Sequence, residues 1–229
     1  MIKLIAFDLD GTLAGIGKGM SEEDVRLLRE LEDKGVRIAV CSGKPTYYLC
    51  GFMRQVGLKE PILVGENGAV IQFGIDLPPN QFYILPYSDK AKETISFFRE
   101  EILKRIPDVW YQPNLVELTP FLKREEDFAV VEACLEECAD HFQDVKVYRF
   151  VDCFDFVPNG ITKKRGLEYL GELLSIEPEE TAAAGDGGND LPMFEYAGLS
   201  VGVGEKVKEY VDKCFNSTTE MLKFLLKEL

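Results

Sequence analysis

The chain has 229 residues, of which 46% are hydrophobic and 29% are charged, and its formal net charge is −14. These values are those of a folded protein long enough for one large domain or two small ones. The acidic balance argues against nonspecific binding to nucleic acid or to an anionic membrane, although it permits a small phosphorylated substrate held by local cations.

The first part of the chain alternates strands and helices. Ser21 and the three acidic residues after it are typical of a helix start, and Gly35 is typical of a helix end. This alternation predicts a doubly wound parallel sheet of the α/β class, with helices on both faces. Ligands of such sheets bind beyond the carboxyl ends of the strands. The expected strands are residues 2–8, 36–41 and 61–64, and the expected helices are 22–34 and 46–56.

Residues 78–157 have a different pattern and are expected to form a smaller inserted α+β domain. A Pro-rich polar segment at 76–80 resembles a linker, and the earlier alternation resumes after Gly160. Residues 1–77 and 158–229 are therefore expected to form one core domain. The insert should contain helices at 89–105 and 124–141 and strands at 82–85, 115–118, 145–150 and 154–157. The last part should contain helices at 164–174, 191–197, 205–213 and 219–228 and strands at 180–184 and 199–203.

The six cysteines predict a reducing compartment. None forms a CxxC pair. Cys134 and Cys138 lie four residues apart on a predicted helix, but with one histidine in the chain and no second pair a zinc site is not expected. Free thiols in an acidic globular chain are typical of the cytosol, so we expect a cytoplasmic protein. The sequence contains no apolar run typical of a signal peptide or of a membrane-spanning helix. It also contains no basic stripe, so neither a nucleic-acid nor a membrane partner is expected.

Two carboxylates, Asp8 and Asp10, follow the first apolar strand and precede Gly11-Thr12. Residues two apart on an extended chain point to the same side, so both side chains should face one cleft. Like charges placed this close resist joint ionisation. That electrostatic cost indicates a cation-binding site, a catalytic site or both. A strand that ends in a solvated acidic turn is the alternative for this motif alone.

Three later segments should reach the same edge of the sheet. Ser42 follows the second strand, Lys163 begins a helix, and Asp186 follows a late strand with Asn189 and Asp190 close behind. Each has a structural alternative when taken alone: Ser42 as a turn residue, Lys163 and its neighbour as solvated cations, and the glycine-rich segment as a flexible loop. Their common order after strand ends and at a helix start favours one functional site.

These residue types suit phosphoryl transfer. A carboxylate is a competent nucleophile towards phosphorus once the phosphate charge is neutralised. Mg²⁺ prefers oxygen ligands, which Asp8, Asp186 and a backbone carbonyl near Asp10 would supply. A hydroxyl at Ser42 and an ammonium at Lys163 would bind the phosphate oxygens. Asp10 would protonate the leaving oxygen and later activate water.

The motifs resemble those of the haloacid dehalogenase superfamily of phosphatases, over nearly the whole chain. The insert and the segment Glu66-Asn67-Gly68-Ala69 further resemble the Cof-like subgroup, which includes sucrose-phosphate phosphatases and archaeal phosphoglycolate phosphatases. The resemblance implies a Rossmann-like core with a type IIB cap. The four matching motifs are Asp8-Leu9-Asp10-Gly11-Thr12, Cys41-Ser42-Gly43, Gly160-Ile161-Thr162-Lys163 and Gly185-Asp186-Gly187-Gly188-Asn189-Asp190.

The resemblance also implies roles for single residues. Asp8 would form an aspartyl phosphate, and Asp10 would be the general acid and base. The phosphate would be bound by Ser42, Gly43, Lys163 and Asn189, and Mg²⁺ by Asp8, Asp10, Asp186 and Asp190. Many members of the subgroup have Arg where this chain has Lys44, an expected substrate contact that lacks the planar fork of Arg. In the insert, the candidate substrate contacts are Trp110, Tyr111, Lys123, Arg124 and Arg149, and a core position is the alternative for Trp110.

The expected function is that of a Mg²⁺-dependent phosphatase acting on a small phosphorylated metabolite, such as a sugar phosphate or a phosphoglycolate-like compound. The cap is expected to close over the leaving group and to set specificity. A phosphomutase of the phosphomannomutase type and a non-catalytic metabolite-binding module are the alternatives. The protein is expected to be a monomer or a homodimer.

Overall fold

The structure is a computed structural model that describes residues 1–229. The chain divides into two compact units, one formed by residues 1–84 and 162–229 and the other by residues 85–161. Each unit has its own hydrophobic core. None of the helices combines the length and the apolar character needed to span a membrane.

Strands and helices alternate along most of the chain. The strands are β1 (Leu4–Phe7), β2 (Arg37–Cys41), β3 (Ile62–Gly65), β4 (Val70–Phe73), β5 (Gln81–Ile84), β6 (Trp110–Tyr111), β7 (Pro120–Phe121), β8 (Val145–Arg149), β9 (Phe154–Pro158), β10 (Thr181–Gly185), β11 (Leu199–Val203) and β12 (Lys213–Phe215). The helices are α1 (Glu22–Asp33), α2 (Thr46–Val56), α3 (Asp89–Arg105), α4 (Glu125–Glu137), α5 (Lys163–Leu174), α6 (Leu191–Tyr196) and α7 (Thr218–Leu225). Short 3₁₀ turns connect several of them.

The first unit contains one eight-stranded sheet in the order β12-β11-β10-β1-β2-β3-β4-β5. The strands from β12 to β3 are parallel, and β4 and β5 are antiparallel. Strand β1 is fully buried, as its unbroken apolar run requires in a parallel sheet covered on both faces. The predicted doubly wound parallel α/β fold is confirmed.

The strand order brings three strand ends together. Strand β1 lies between β10 and β2, and Phe7 is in register with Ala184 on one side and with Val40 on the other. The residues that follow these positions therefore leave the sheet side by side. Asp8, Ser42 and Asp186 follow β1, β2 and β10, so the sheet order places them at one edge.

The second unit packs two helices, α3 and α4, on short strands. The pairs β6-β7 and β8-β9 are joined by the bridges Leu118–Phe156 and Phe121–Cys153. Phe98 and Phe156 lie in its core with ring centroids 5.6 Å apart. The helix predicted at 89–105 matches α3, whereas the helix predicted at 124–141 ends at Glu137 and continues as a 3₁₀ turn.

Three of the predicted elements are wrong in type or place. The strand expected at 115–118 is reduced to the bridge at Leu118, and side-chain hydrogen bonds among Gln112, Asn114 and Thr119 accompany a bend at 115–116. The strand expected at 82–85 is β5, which pairs with β4 in the first unit. The helix expected at 205–213 is a 3₁₀ turn at Glu205–Tyr210 followed by β12, which pairs with β11.

A close backbone contact sets the start of α5. Gly68 has a φ of +102°, and a Cβ there would collide with the carbonyl of Thr162. A Cβ on Gly166 would lie 2.7 Å from the Cα of Gly68. The two glycines therefore let α5 approach the turn after β3, and this approach fixes the position of Lys163, the first residue of α5.

Candidate active site

Asp8 lies at the carboxyl end of β1 and is buried. Its N–H donates to the carbonyl of Ala184 at 2.8 Å, so the backbone of Asp8 continues the pairing with β10. Asp10 follows on a partly exposed loop. Gly11 has a φ of +100°, and a Cβ there would collide with the carboxylate of Asp186. This glycine therefore allows the loop after β1 to touch the loop after β10.

Lys163 joins three elements of the first unit. Its side chain is 1% exposed, and its Nζ donates to Asp8 Oδ1 at 2.6 Å and to Asp190 Oδ1 at 2.7 Å. The side chain of Thr162 caps α5 by accepting the N–H of Arg165. A buried ammonium is stable only with partners of opposite charge, so these contacts hold Lys163 between β1 and the loop after β10.

The carboxylates of Asp186 and Asp190 have different surroundings. Asp190 Oδ2 accepts the N–H groups of Asp186 and Gly187, each at 3.0 Å. Both oxygens of Asp190 are thus engaged, since Oδ1 accepts from Lys163. Asp186 Oδ1 accepts the hydroxyl of Thr12 at 3.1 Å. Oδ2 of Asp186 and Oδ2 of Asp8 accept no hydrogen bond, so these two oxygens are the ones available to a ligand.

Burial and crowding perturb the ionisation of these groups. Burial raises the pKa of Asp8 to about 7, and the carboxylates of Asp190 and Asp186 add to this rise, while Lys163 opposes it. Burial and the charge of Asp190 likewise raise the pKa of Asp186. Burial lowers the pKa of Lys163, but the attraction of Asp8 and Asp190 outweighs it, so that pKa lies above its usual range. Lys163 therefore stays charged.

The donor set fits a divalent cation. Ligand oxygens of Asp8, Asp186 and Asp190 all lie within 4.8 Å of one another. Three carboxylates with the single ammonium of Lys163 leave an excess of negative charge in a largely buried place. Hard cations such as Mg²⁺ and Ca²⁺ prefer carboxylate oxygens, and the unengaged oxygens of Asp8 and Asp186 are suited to hold one. The cluster is thus a candidate metal site.

The other predicted phosphate-binding and substrate residues are arranged differently. Ser42 is buried, and its Oγ accepts the N–H of Lys44 at 3.1 Å. Asn189 is exposed in the 3₁₀ turn after β10. Neither Ser42 nor Asn189 forms a hydrogen bond with the three carboxylates. Gly43 and Lys44 are partly buried in the turn after β2.

Most of the predicted cap residues have contacts within the second unit. Tyr111 donates its hydroxyl to the carbonyl of Arg99 at 2.8 Å. Arg124 is paired with Asp127 at 2.9 Å, and Arg149 with Glu132 at 3.1 Å. The side chains of Arg124 and Arg149 nevertheless remain about half exposed. Lys123 is exposed, and Trp110 is about half exposed and contacts the ring of Phe121.

Two residues of the motifs have places at the site that the sequence did not predict. Thr12 is completely buried and orients Asp186 through its hydroxyl. Cys41, at the end of β2, is also completely buried, and burial raises the pKa of its thiol to about 12. A hydroxyl directly after the acidic pair is a signal that marks Thr12. Cys41 could have been found from its place at the end of an apolar strand. In the structure its thiol is neutral and packs in the interior.

A family model described as haloacid dehalogenase-like hydrolase matches residues 5–101 and 79–221. The chain is 26% identical to the phosphoglycolate phosphatase of Methanopyrus kandleri over 221 residues, which cover 93% of this chain and 90% of that protein. It is also 26% identical to the 5-amino-6-(5-phospho-D-ribitylamino)uracil phosphatase YitU of Bacillus subtilis over 251 residues, covering 94% of this chain and 91% of the relative.

Solved structures agree with these sequence relatives. The HAD subclass IIB sugar phosphatase BT4131 matches with a TM-score of 0.69 at 20% identity, over 98% of this chain and 99% of that chain. This likeness shows a common fold, as the resemblance to the Cof-like subgroup predicted. The chain therefore belongs to the family of haloacid dehalogenase-like hydrolases, as an enzyme of the phosphoric monoester hydrolase type.

Proposed function

We propose that this enzyme is a Mg²⁺-dependent phosphatase that hydrolyses a small phosphorylated metabolite through an aspartyl phosphate on Asp8. The observation that carries the proposal is the buried cluster in which Lys163 pairs with Asp8 and Asp190 while Asp8 and Asp186 each keep one oxygen unengaged. Bound Mg²⁺ would neutralise the phosphate and the carboxylates and so reduce their mutual repulsion.

The residues of the chain divide the reaction into two steps. The carboxylate of Asp8 attacks phosphorus, the bond from phosphorus to the leaving oxygen breaks, and Asp10 protonates that oxygen. Asp10 then takes a proton from water, which attacks the aspartyl phosphate and releases inorganic phosphate and free Asp8. Lys163 binds phosphate oxygens in both steps, as does the turn with Ser42 and Gly43. Asp190 holds the loop of Asp186 by accepting two of its N–H groups.

The substrate class rests on the relatives and on the inserted unit. The Methanopyrus kandleri and Bacillus subtilis phosphatases act, by their names, on phosphoglycolate and on a phosphorylated ribitylaminouracil. We propose that this enzyme also acts on a small phosphorylated metabolite, such as a sugar phosphate. In this proposal the inserted unit, predicted at 78–157 and compact over residues 85–161, is the cap that determines the leaving group. The rest of the chain, predicted as 1–77 and 158–229, is the core. A cytoplasmic location is part of the same proposal.

A substrate panel tests the proposal. Purified full-length protein is incubated with phosphoglycolate, sugar phosphates and phosphorylated ribityl compounds, and released phosphate is measured with Mg²⁺, with EDTA, and after Mg²⁺ is added back. We expect kcat/KM to favour one chemical class, and activity to vanish with EDTA and return with Mg²⁺. Full activity in EDTA would contradict the metal role. Transfer of the phosphoryl group within the substrate, without release, would indicate a mutase.

The raised pKa of Asp8 predicts a pH dependence of metal binding. In the metal-free protein Asp8 holds its proton below about pH 7, so binding of Mg²⁺ must release that proton. Proton competition then weakens the affinity as pH falls, by about tenfold per unit well below the pKa of Asp8. Titration calorimetry at about pH 6 and about pH 8, in buffers of different ionisation enthalpy, measures both affinity and proton release. An affinity independent of pH in this range would refute the prediction.

A further inference from the structure

The first turn of the C-terminal helix α7 contacts the loop that carries the acidic pair. Thr218 donates its hydroxyl to the carbonyl oxygen of Thr12 at 2.6 Å, across 206 residues of sequence. Thr12 in turn donates its own hydroxyl to Asp186 Oδ1. A chain of two hydrogen bonds therefore connects α7 to one of the two carboxylates suited to hold a cation.

Helix α7 is fixed in place by contacts that do not involve Thr218. Ser217 caps the helix by accepting the N–H of Glu220. Met221, Leu222 and Leu225 are buried in the core of the first unit. The helix start is thus a rigid point from which the Thr218 hydroxyl reaches the loop after β1.

The loop that receives this hydrogen bond needs such support. Gly11, which precedes Thr12, adopts a left-handed conformation and has no side chain of its own to pack. The peptide of Thr12 determines where its hydroxyl points, and that hydroxyl is the hydrogen-bond donor to Asp186. Partners that orient a metal ligand typically affect metal affinity by about 10- to 100-fold.

We propose that Thr218 is a positioning residue that orients the metal ligand Asp186 through Thr12. The inference rests on the proposed divalent cation site and adds to it a residue of the last helix that affects the affinity for the cation. Thr218 touches neither substrate nor reacting atoms in this proposal. It acts by holding the Thr12 carbonyl, and thereby the hydrogen bond that fixes one oxygen of Asp186.

The neighbouring residue is a matched control. Thr219 lies in the same turn of α7, is partly buried like Thr218, and donates its hydroxyl at the same distance of 2.6 Å. Its acceptor is Asp24 at the start of α1, which has no contact with the carboxylate cluster. Loss of either hydroxyl should weaken the attachment of α7 to a similar extent, but only the loss at Thr218 should change the orientation of Asp186.

The test compares Thr218→Val, Thr218→Ser and Thr219→Val in the full-length protein. Mg²⁺ affinity is measured by calorimetry without substrate, thermal unfolding is measured without metal, and kcat and KM are measured at saturating Mg²⁺. We expect Thr218→Val to weaken Mg²⁺ binding about tenfold or more, with KM for substrate little changed. Thr218→Ser should restore the affinity of the original protein. Thr219→Val should keep it while lowering the unfolding temperature about as much as Thr218→Val.

Two results would overturn the inference. One is a Thr218→Val protein that binds Mg²⁺ as tightly as the original, and the other is equal weakening in Thr218→Val and Thr219→Val, which would indicate general loosening of α7. Failure of the proposed function is a separate result, because the unmodified protein would then bind no Mg²⁺, and the role of Thr218 would fall with it.

Discussion

Replacing Asp8 with Asn is expected to lower kcat for phosphate release by about 10⁴-fold or more, as removal of a nucleophile does. An amide does not form the acyl phosphate, although it has nearly the shape of the carboxylate. Asn Oδ1 still accepts the hydrogen bond that Lys163 now donates to Asp8. The variant should therefore fold normally, while it loses the nucleophile and binds Mg²⁺ less tightly because one proposed metal ligand is neutral.

Denaturant unfolding should show whether Asp8→Asn is inactive because it lacks the nucleophile or because it is unfolded. The folded-state pKa of Asp8, about 7, lies above its ordinary value of 3.8, because burial opposes its charge. Stability from such a group is present at low pH and is lost as pH rises through the folded pKa. Asn does not ionise, so the variant does not lose this stability as pH rises. At about pH 8 without metal, Asp8→Asn should unfold at the same or a higher denaturant concentration than the original protein.

The matched control for Asp8→Asn is Asp33→Asn, an exposed carboxylate paired with Lys59 at the far end of α1. That change should leave turnover of p-nitrophenyl phosphate intact. Mass spectrometry of the Asp8→Asn protein checks that no Asn has deamidated back to Asp. Normal turnover by an intact Asp8→Asn protein would exclude Asp8 as the nucleophile.

Replacing Lys163 with Met should both inactivate and destabilise the enzyme. Met fills a similar volume but leaves Asp8 and Asp190 buried without their shared cation. Removing one partner of a buried ion pair typically costs about 3–5 kcal/mol of unfolding free energy. Without the nearby ammonium Asp8 ionises with more difficulty, which raises its pKa further, so the loss of stability should grow as pH rises. Phosphate binding is lost as well, because the cation for the phosphate oxygens is gone.

Denaturant unfolding of Lys163→Met at about pH 5 and about pH 8, with and without Mg²⁺, measures these effects. The variant should be closer to the original protein at the acid pH, and Mg²⁺ should recover part of its stability at the higher pH. Lys164→Met is the control, because Lys164 is partly exposed and contacts Glu195 at 3.5 Å. Lys164→Met should lower the free energy of unfolding by less than about 0.5 kcal/mol. Equal effects of the two substitutions would refute the assigned role of Lys163.

Local patterns were sufficient for much of the fold. Helices α2 and α3 occupy the predicted residues 46–56 and 89–105, because their ends are marked by local signals such as the Ser88 cap and Gly57. Strand β11 at 199–203 is likewise as predicted. The prediction for 115–118 holds only at the Leu118 bridge, because side-chain hydrogen bonds bend the chain before it. The helix predicted at 205–213 was wrong because strand pairing of β12 outweighs local preference.

By itself the sequence determined which residue types stand after which strands, and therefore that carboxylates and one lysine should meet at the edge of a parallel sheet. Only the tertiary structure decided how they share their hydrogen bonds. Lys163 lies between Asp8 and Asp190, Asp190 is engaged at both oxygens, and Thr218 reaches Thr12 from the last helix. These contacts join residues up to 206 positions apart. They depend on β1 lying between β10 and β2, and no local pattern in the chain encodes that order.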